Sequence, residues 1–69
     1  MEFYFEFKNA DGDHQAEKYV SAPDVAAAEE RAAALLIAKN KDHKAVVRVD
    51  VYRRSLFDPR KTKLRQIDL

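Results

Sequence analysis

The sequence contains no cysteine, no tryptophan, one glycine and two prolines in 69 residues. Without cysteine there is no disulfide framework, no thiolate zinc site and no cysteine nucleophile, so a small core must hold the fold alone or with a partner subunit. A single glycine excludes a Gly-rich phosphate loop and a Gly-x-Ser-x-Gly elbow. The only serines, Ser21 and Ser55, read as a helix cap and a turn. No uncharged run is long enough to span a bilayer, and Met1-Glu2-Phe3-Tyr4 lacks the basic start of a signal peptide. The expectation is a cytoplasmic protein with no membrane partner.

What the chain does contain is 46% hydrophobic and 36% charged residues, a balance that suits one compact α+β domain over residues 1–69. The net charge of +1 hides a division. Residues 1–43 carry five basic side chains against nine acidic, whereas residues 44–65 carry eight basic against two acidic. The C-terminal third is therefore a basic module on an acidic body, suited to phosphates or to an acidic protein surface.

Phe3, Phe5 and Phe7 alternate with Glu2, Tyr4, Glu6 and Lys8, the period-2 pattern of a half-buried strand. Asp11-Gly12 supplies the positive φ of a two-residue hairpin turn, and His14 to Val20 is the return strand. This turn pairs Phe7 with Ala16, Phe3 with Val20 and Tyr4 with Tyr19. A three-residue loop would instead set Phe5 against Glu17 on the core face. Ser21-Ala22-Pro23-Asp24 predicts a helix start capped by Ser21, and the helix runs to about Asn40. Its stripe of Val25, Ala28, Ala32, Leu35 and Leu36 faces the sheet, while Glu29, Glu30 and Arg31 point away. Ala45 to Arg53 is the third strand. Beyond it, a turn near Asp58-Pro59-Arg60-Lys61 precedes Leu64, Ile67 and Leu69, which suit a short fourth strand. The expected fold is one antiparallel sheet in the order 2-1-3, with this fourth strand as an extension, covered on one face by a single long helix.

In that arrangement Tyr4, Tyr19 and Tyr52 fall together on the face away from the helix. Tyrosine joins a large apolar ring to a polar tip, which suits a protein interface and also the stacking of unpaired bases. The candidate partner-binding residues are these three tyrosines with Arg48, Arg53, Arg54, Arg60, Lys61, Lys63 and Arg65. Asp13-His14 and Asp42-His43 fall at one end of the domain. They lack a third ligand and a nucleophile, so they read as solvated loop residues and no metal, cofactor or catalytic residue is assigned.

The aromatic strand Phe3-Tyr4-Phe5-Glu6-Phe7, the turn with Gly12, the Ala-rich helix after Ser21-Ala22-Pro23-Asp24 and the strand Val46-Val47-Arg48-Val49 resemble small proteins of phages and mobile elements, including several anti-CRISPR proteins. The resemblance covers most of residues 2–54 as a pattern, without a diagnostic motif. It implies a host-directed inhibitor that binds a host protein or nucleoprotein complex and has no chemistry of its own. The alternative partner is nucleic acid itself, held by the basic third and the tyrosine face. A homodimer through an outer strand or the tyrosine face is also expected, because a domain of this size buries little surface.

Overall fold

The computed structural model describes residues 1–55, 57 and 61–69. Four strands, β1 (Glu2–Lys8), β2 (His14–Ser21), β3 (Arg48–Arg54) and β4 (Lys61–Asp68), form one antiparallel sheet in the order β2-β1-β3-β4. One helix, α1 (Val25–Asp42), connects β2 to β3 and covers one face. The anticipated α+β class, the central position of β1 and the fourth strand are all present. Leu56, Arg60 and most of the anticipated Asp58-Pro59-Arg60-Lys61 turn lie outside the described residues.

Phe3, Phe5 and Phe7 are fully buried beneath the helix with Val49 and Val51. Against this row α1 presents Ala28, Ala32 and Leu36, whose small or slender side chains let the helix lie close to bulky rings. The helix packs mainly over β3 and also touches β1 and β4, so β2 lies outside its main contact. Lys18 on the helix side of β2 is accordingly exposed. Leu64 and Ile67 bring β4 into the core as partly buried neighbours, whereas Phe57 is 97% exposed.

The hairpin keeps the anticipated register by a different turn. Gly12, with φ 86°, donates its N–H to Asn9 O at 3.0 Å, and Asn9 N–H donates to Asp13 O at 3.1 Å. The loop thus has three residues, Ala10, Asp11 and Gly12, rather than two, and Lys8 pairs with His14. Gln15 then bulges out, which returns Phe7 to Ala16, Phe5 to Lys18 and Phe3 to Val20. One extra residue in the strand compensates for one extra residue in the loop. Asn9 Oδ1 closes the loop by accepting from the N–H groups of Asp11 and Asp13.

The helix boundaries also differ from expectation. Asp24, not Ser21, is the N-cap: its Oδ1 accepts the Ala27 N–H at 2.8 Å. Ser21 ends β2 and donates its hydroxyl to Glu2 Oε1 instead. At the other end the helix passes Asn40 and stops at His43, whose N–H donates to Lys39 O. No non-glycine residue takes a positive φ among the described residues, so Asn40 does not end the helix in a left-handed turn. Its amide donates to the carbonyls of Lys44 and Val46, binding the helix end to the approach of β3. That approach explains why β3 begins at Arg48 rather than Ala45. Glu29, anticipated to face away, reaches β4 and pairs with Arg65 at 3.3 Å.

Candidate functional site

The sheet face opposite the helix gathers every second residue of four neighbouring strands. Tyr4 pairs directly with Tyr19 on β2 and Tyr52 on β3, so the three rings stand in a row across the sheet. Their centroids are 5.1 Å apart for Tyr4–Tyr19 and 5.8 Å for Tyr4–Tyr52, with tilted planes that suit aromatic contact. Cations lie over this row. The Lys61 ammonium is 3.8 Å from the Tyr4 ring centroid and the Arg54 guanidinium 4.7 Å from that of Tyr19. Tyr4 is therefore buried, at 5% exposure, while Tyr19 is 51% exposed and Tyr52 lies between.

A charged cluster adjoins the rings. Glu6 and Asp50 stand directly opposite across β1 and β3, an arrangement of like charges that costs stability unless a cation joins them. Lys8 does so, with its ammonium 2.8 Å from Asp50 and 3.4 Å from Glu6, and Lys63 approaches Asp50 from β4 at 3.3 Å. Asp50 is only 1% exposed, and neither of its oxygens has an aligned hydrogen bond among the described residues. The carboxylate is held by charge. The bulge that places Leu64 out of register on β4 sets Lys63 opposite Tyr52, within reach of Asp50. Arg48 and Asp68 form a further pair at 2.9 Å, and His14 meets Glu17 at 3.5 Å.

Two proton affinities are raised here. Burial pushes the Tyr4 hydroxyl far above its ordinary value, helped by its hydrogen bond to Glu6 Oε2 and by the charges of Glu6 and Glu17. The Lys8 ammonium is also raised, chiefly by its contact with Asp50. Both groups hold their protons more tightly when folded than when unfolded, where tyrosine and lysine titrate near pH ~10 and ~10.4. The stabilisation they provide is complete below that range and is lost as pH climbs above it toward the higher values of the folded state. Urea unfolding measured from pH 8 to pH 11.5 is expected to show a steep alkaline fall that is shallower in Tyr4→Phe. Equal slopes in the two proteins would exclude Tyr4 as a source of that fall.

The basic third divides between the two faces. Arg48, Arg54, Lys61 and Lys63 lie on the tyrosine face, whereas Arg53 and Arg65 lie on the helix side and Arg60 falls outside the described residues. On the tyrosine face the acids Glu2, Glu6, Glu17, Asp50 and Asp68 match Lys8, Arg48, Arg54, Lys61 and Lys63 in number. It is a mixed surface, with Tyr19, Arg54 and Lys61 exposed and Tyr52 partly so. The charge-held Asp50 and the cations over the rings were missed in the sequence. The available signal was the placement of Asp50 opposite Glu6, which the strand register demands.

The two aspartate–histidine pairs do not act together. Asp42 ends the helix and His43 is its C-cap, where both line a cavity of about 230 Å³ with Gln15, Ala16, Lys39 and Val46. His14 instead meets Glu17 on the open face. Among the described residues no three histidine or carboxylate side chains converge on one point, and no helix is long and apolar enough to cross a membrane. Comparison with protein-family models, with curated proteins and with solved structures finds no match.

Proposed function

We propose that the chain is a non-enzymatic interaction protein of the phage-type inhibitor kind that its strand and helix pattern resembles, acting in the host cytoplasm on a protein or nucleoprotein target. The observation that supports this reading is the patch of Tyr19, Tyr52, Arg54 and Lys61 on an open sheet face. Tyrosine and arginine are the side chains that most often anchor protein interfaces, and here they are pre-arranged by ring contact and cation stacking before any partner arrives. The equal numbers of acids and bases around them favour a partner surface of mixed charge over a phosphate track.

Alanine at Tyr19, Tyr52 or Arg54 is expected to weaken target binding by about 10- to 100-fold each, the usual effect of losing an anchor of 1–3 kcal/mol. Alanine at Glu30 on the exposed side of the helix should leave it unchanged. Binding of all four variants to a target captured from host cells, measured by titration, decides the matter: equal affinities would remove the tyrosine face as the site.

A second reading is supported by the same face, because its acids are largely engaged with neighbouring side chains. Tyr19 and Tyr52 would then stack bases while Arg54 and Lys61 contact phosphates. A fluorescent single-stranded oligonucleotide should in that case bind at low salt and be released steeply as salt rises. Absence of binding at about 50 mM salt would leave protein targets alone.

A further inference from the structure

Strand β2 has a free edge whose backbone groups can be assigned one by one. Met1 and Ala22 exchange both hydrogen bonds, each at 3.0 Å, which makes them a closely bonded antiparallel pair. Alternation along the ladder then turns the N–H and C=O of Val20, Lys18 and Ala16 toward β1. Those of Glu17, Tyr19 and Ser21 point outward, where no strand lies among the described residues. The edge is bounded at one end by the bulge at Gln15 and at the other by Pro23, which has no N–H to offer. Between these limits run residues 16–22, and their midpoint is Tyr19.

We infer that β2 pairs with β2 of a second copy of this chain about a two-fold axis through Tyr19, joining two four-stranded sheets into one. In that register Tyr19 meets the partner's Tyr19, and Glu17 meets the partner's Ser21 on both sides of the axis. These are the outward-facing residues, so the pairing closes about six backbone hydrogen bonds. No like charges face each other. Shifting the axis to Lys18 sets two ammonium groups opposite, shifting it to Glu17 sets two carboxylates opposite, and shifting it to Val20 shortens the ladder. The available edge and the best register have the same centre.

The other edge of the sheet is protected. β4 carries Lys61, Lys63 and Arg65 and a bulge at Leu64, features that hinder strand addition. β2 has only the bulge near its start and one lysine pointing to the helix side. Pairing about an axis normal to the sheet keeps both helices on one face and both tyrosine rows on the other. The row Tyr52-Tyr4-Tyr19 then continues across the axis into its copy, and the dimer presents one doubled patch.

The sequence has no cysteine, so a single engineered thiol reports on one position without background. Closely bonded antiparallel residues have Cα atoms about 5.5 Å apart, within disulfide range. Under mild oxidation Tyr19→Cys is expected to convert to a covalent dimer at least about ten times faster than Gln66→Cys on the β4 edge. Sedimentation of the unmodified protein should show twice the 8.0 kDa chain mass as concentration rises. Tyr19→Pro, which removes an outward N–H and the ring beside Tyr4 but no hydrogen bond to β1, should stay at the chain mass with its circular dichroism retained. A wild-type monomer up to millimolar concentration, or equal cross-linking at the two edges, overturns the inference. So does a dimer that persists in Tyr19→Pro. Should that variant fail to fold, the two cysteine proteins still decide between the edges.

Discussion

Replacement of Lys8 by methionine is expected to lower the unfolding free energy by about 3–5 kcal/mol, the cost of stranding a buried charge. Lys8 bridges Asp50 and Glu6, which face each other across the central strands. Without it, Asp50 stays enclosed at 1% exposure with only Lys63 nearby, and Glu6 repels it. For a domain of this length the loss corresponds to a melting temperature lower by roughly 20–35 °C. The converse change, Asp50→Asn, should cost much less, because both lysines are partly exposed and can turn to water. Combining the two substitutions should recover most of the loss, since no buried charge then remains. Thermal melts of the three variants test this. A Lys8→Met loss below about 1 kcal/mol would mean that Lys63 and solvent suffice to hold the carboxylate.

Phe5→Ala is expected to cost a similar 3–5 kcal/mol by a different route, the loss of apolar contact and the opening of a cavity. Phe5 is fully buried at the middle of the central strand, between Lys18 and Val51. The helix contributes Ala28 and Ala32 to the same core, side chains too short to close the space. A domain of this length has a total stability of only roughly 3–10 kcal/mol, so a substantial fraction of the variant should be unfolded at room temperature. Phe57→Ala, at a position 97% exposed, provides the comparison and should change stability by no more than about 0.5 kcal/mol. Urea denaturation followed by circular dichroism separates the two. Equal midpoints would show that the phenylalanine row does not carry the core.

The phenylalanine row was legible because its period of two is unbroken, and a strand so uniformly apolar on one face belongs in the middle of a sheet. The pairing with β2 followed from keeping Phe3 with Val20 and Phe7 with Ala16, and it survives although the turn differs. Side-chain pattern constrains register more firmly than loop length does, because a bulge can absorb one residue without turning the core outward. Strand β4 was harder to read. Its alternation is interrupted at Leu64, and most of its residues are polar. The basic third looked like one patch because Arg53 and Arg54 adjoin in sequence, yet neighbouring residues of a strand point to opposite faces. The helix start was assigned to the wrong residue since Ser21 and Asp24 both suit an N-cap. Only the hydrogen bond from Ser21 to Glu2 shows which was already engaged.

The position of β1 also governs how the chain finds its shape. Its pairing with β2 closes over a short loop, but its pairing with β3 joins segments separated by the whole of α1. The hairpin alone is marginal, since a two-stranded ribbon exposes its apolar face until something covers it. Entropy is therefore lost in closing the long segment before the valines of β3 reach the phenylalanines, and folding is slower than in a helical bundle of equal length. A helix formed early shortens that search by holding its two ends at a fixed span. If the helix and sheet meet in the folding nucleus, substitutions at Ala28 and Ala32 are expected to slow folding while those on β4 speed unfolding, as stopped-flow kinetics would show.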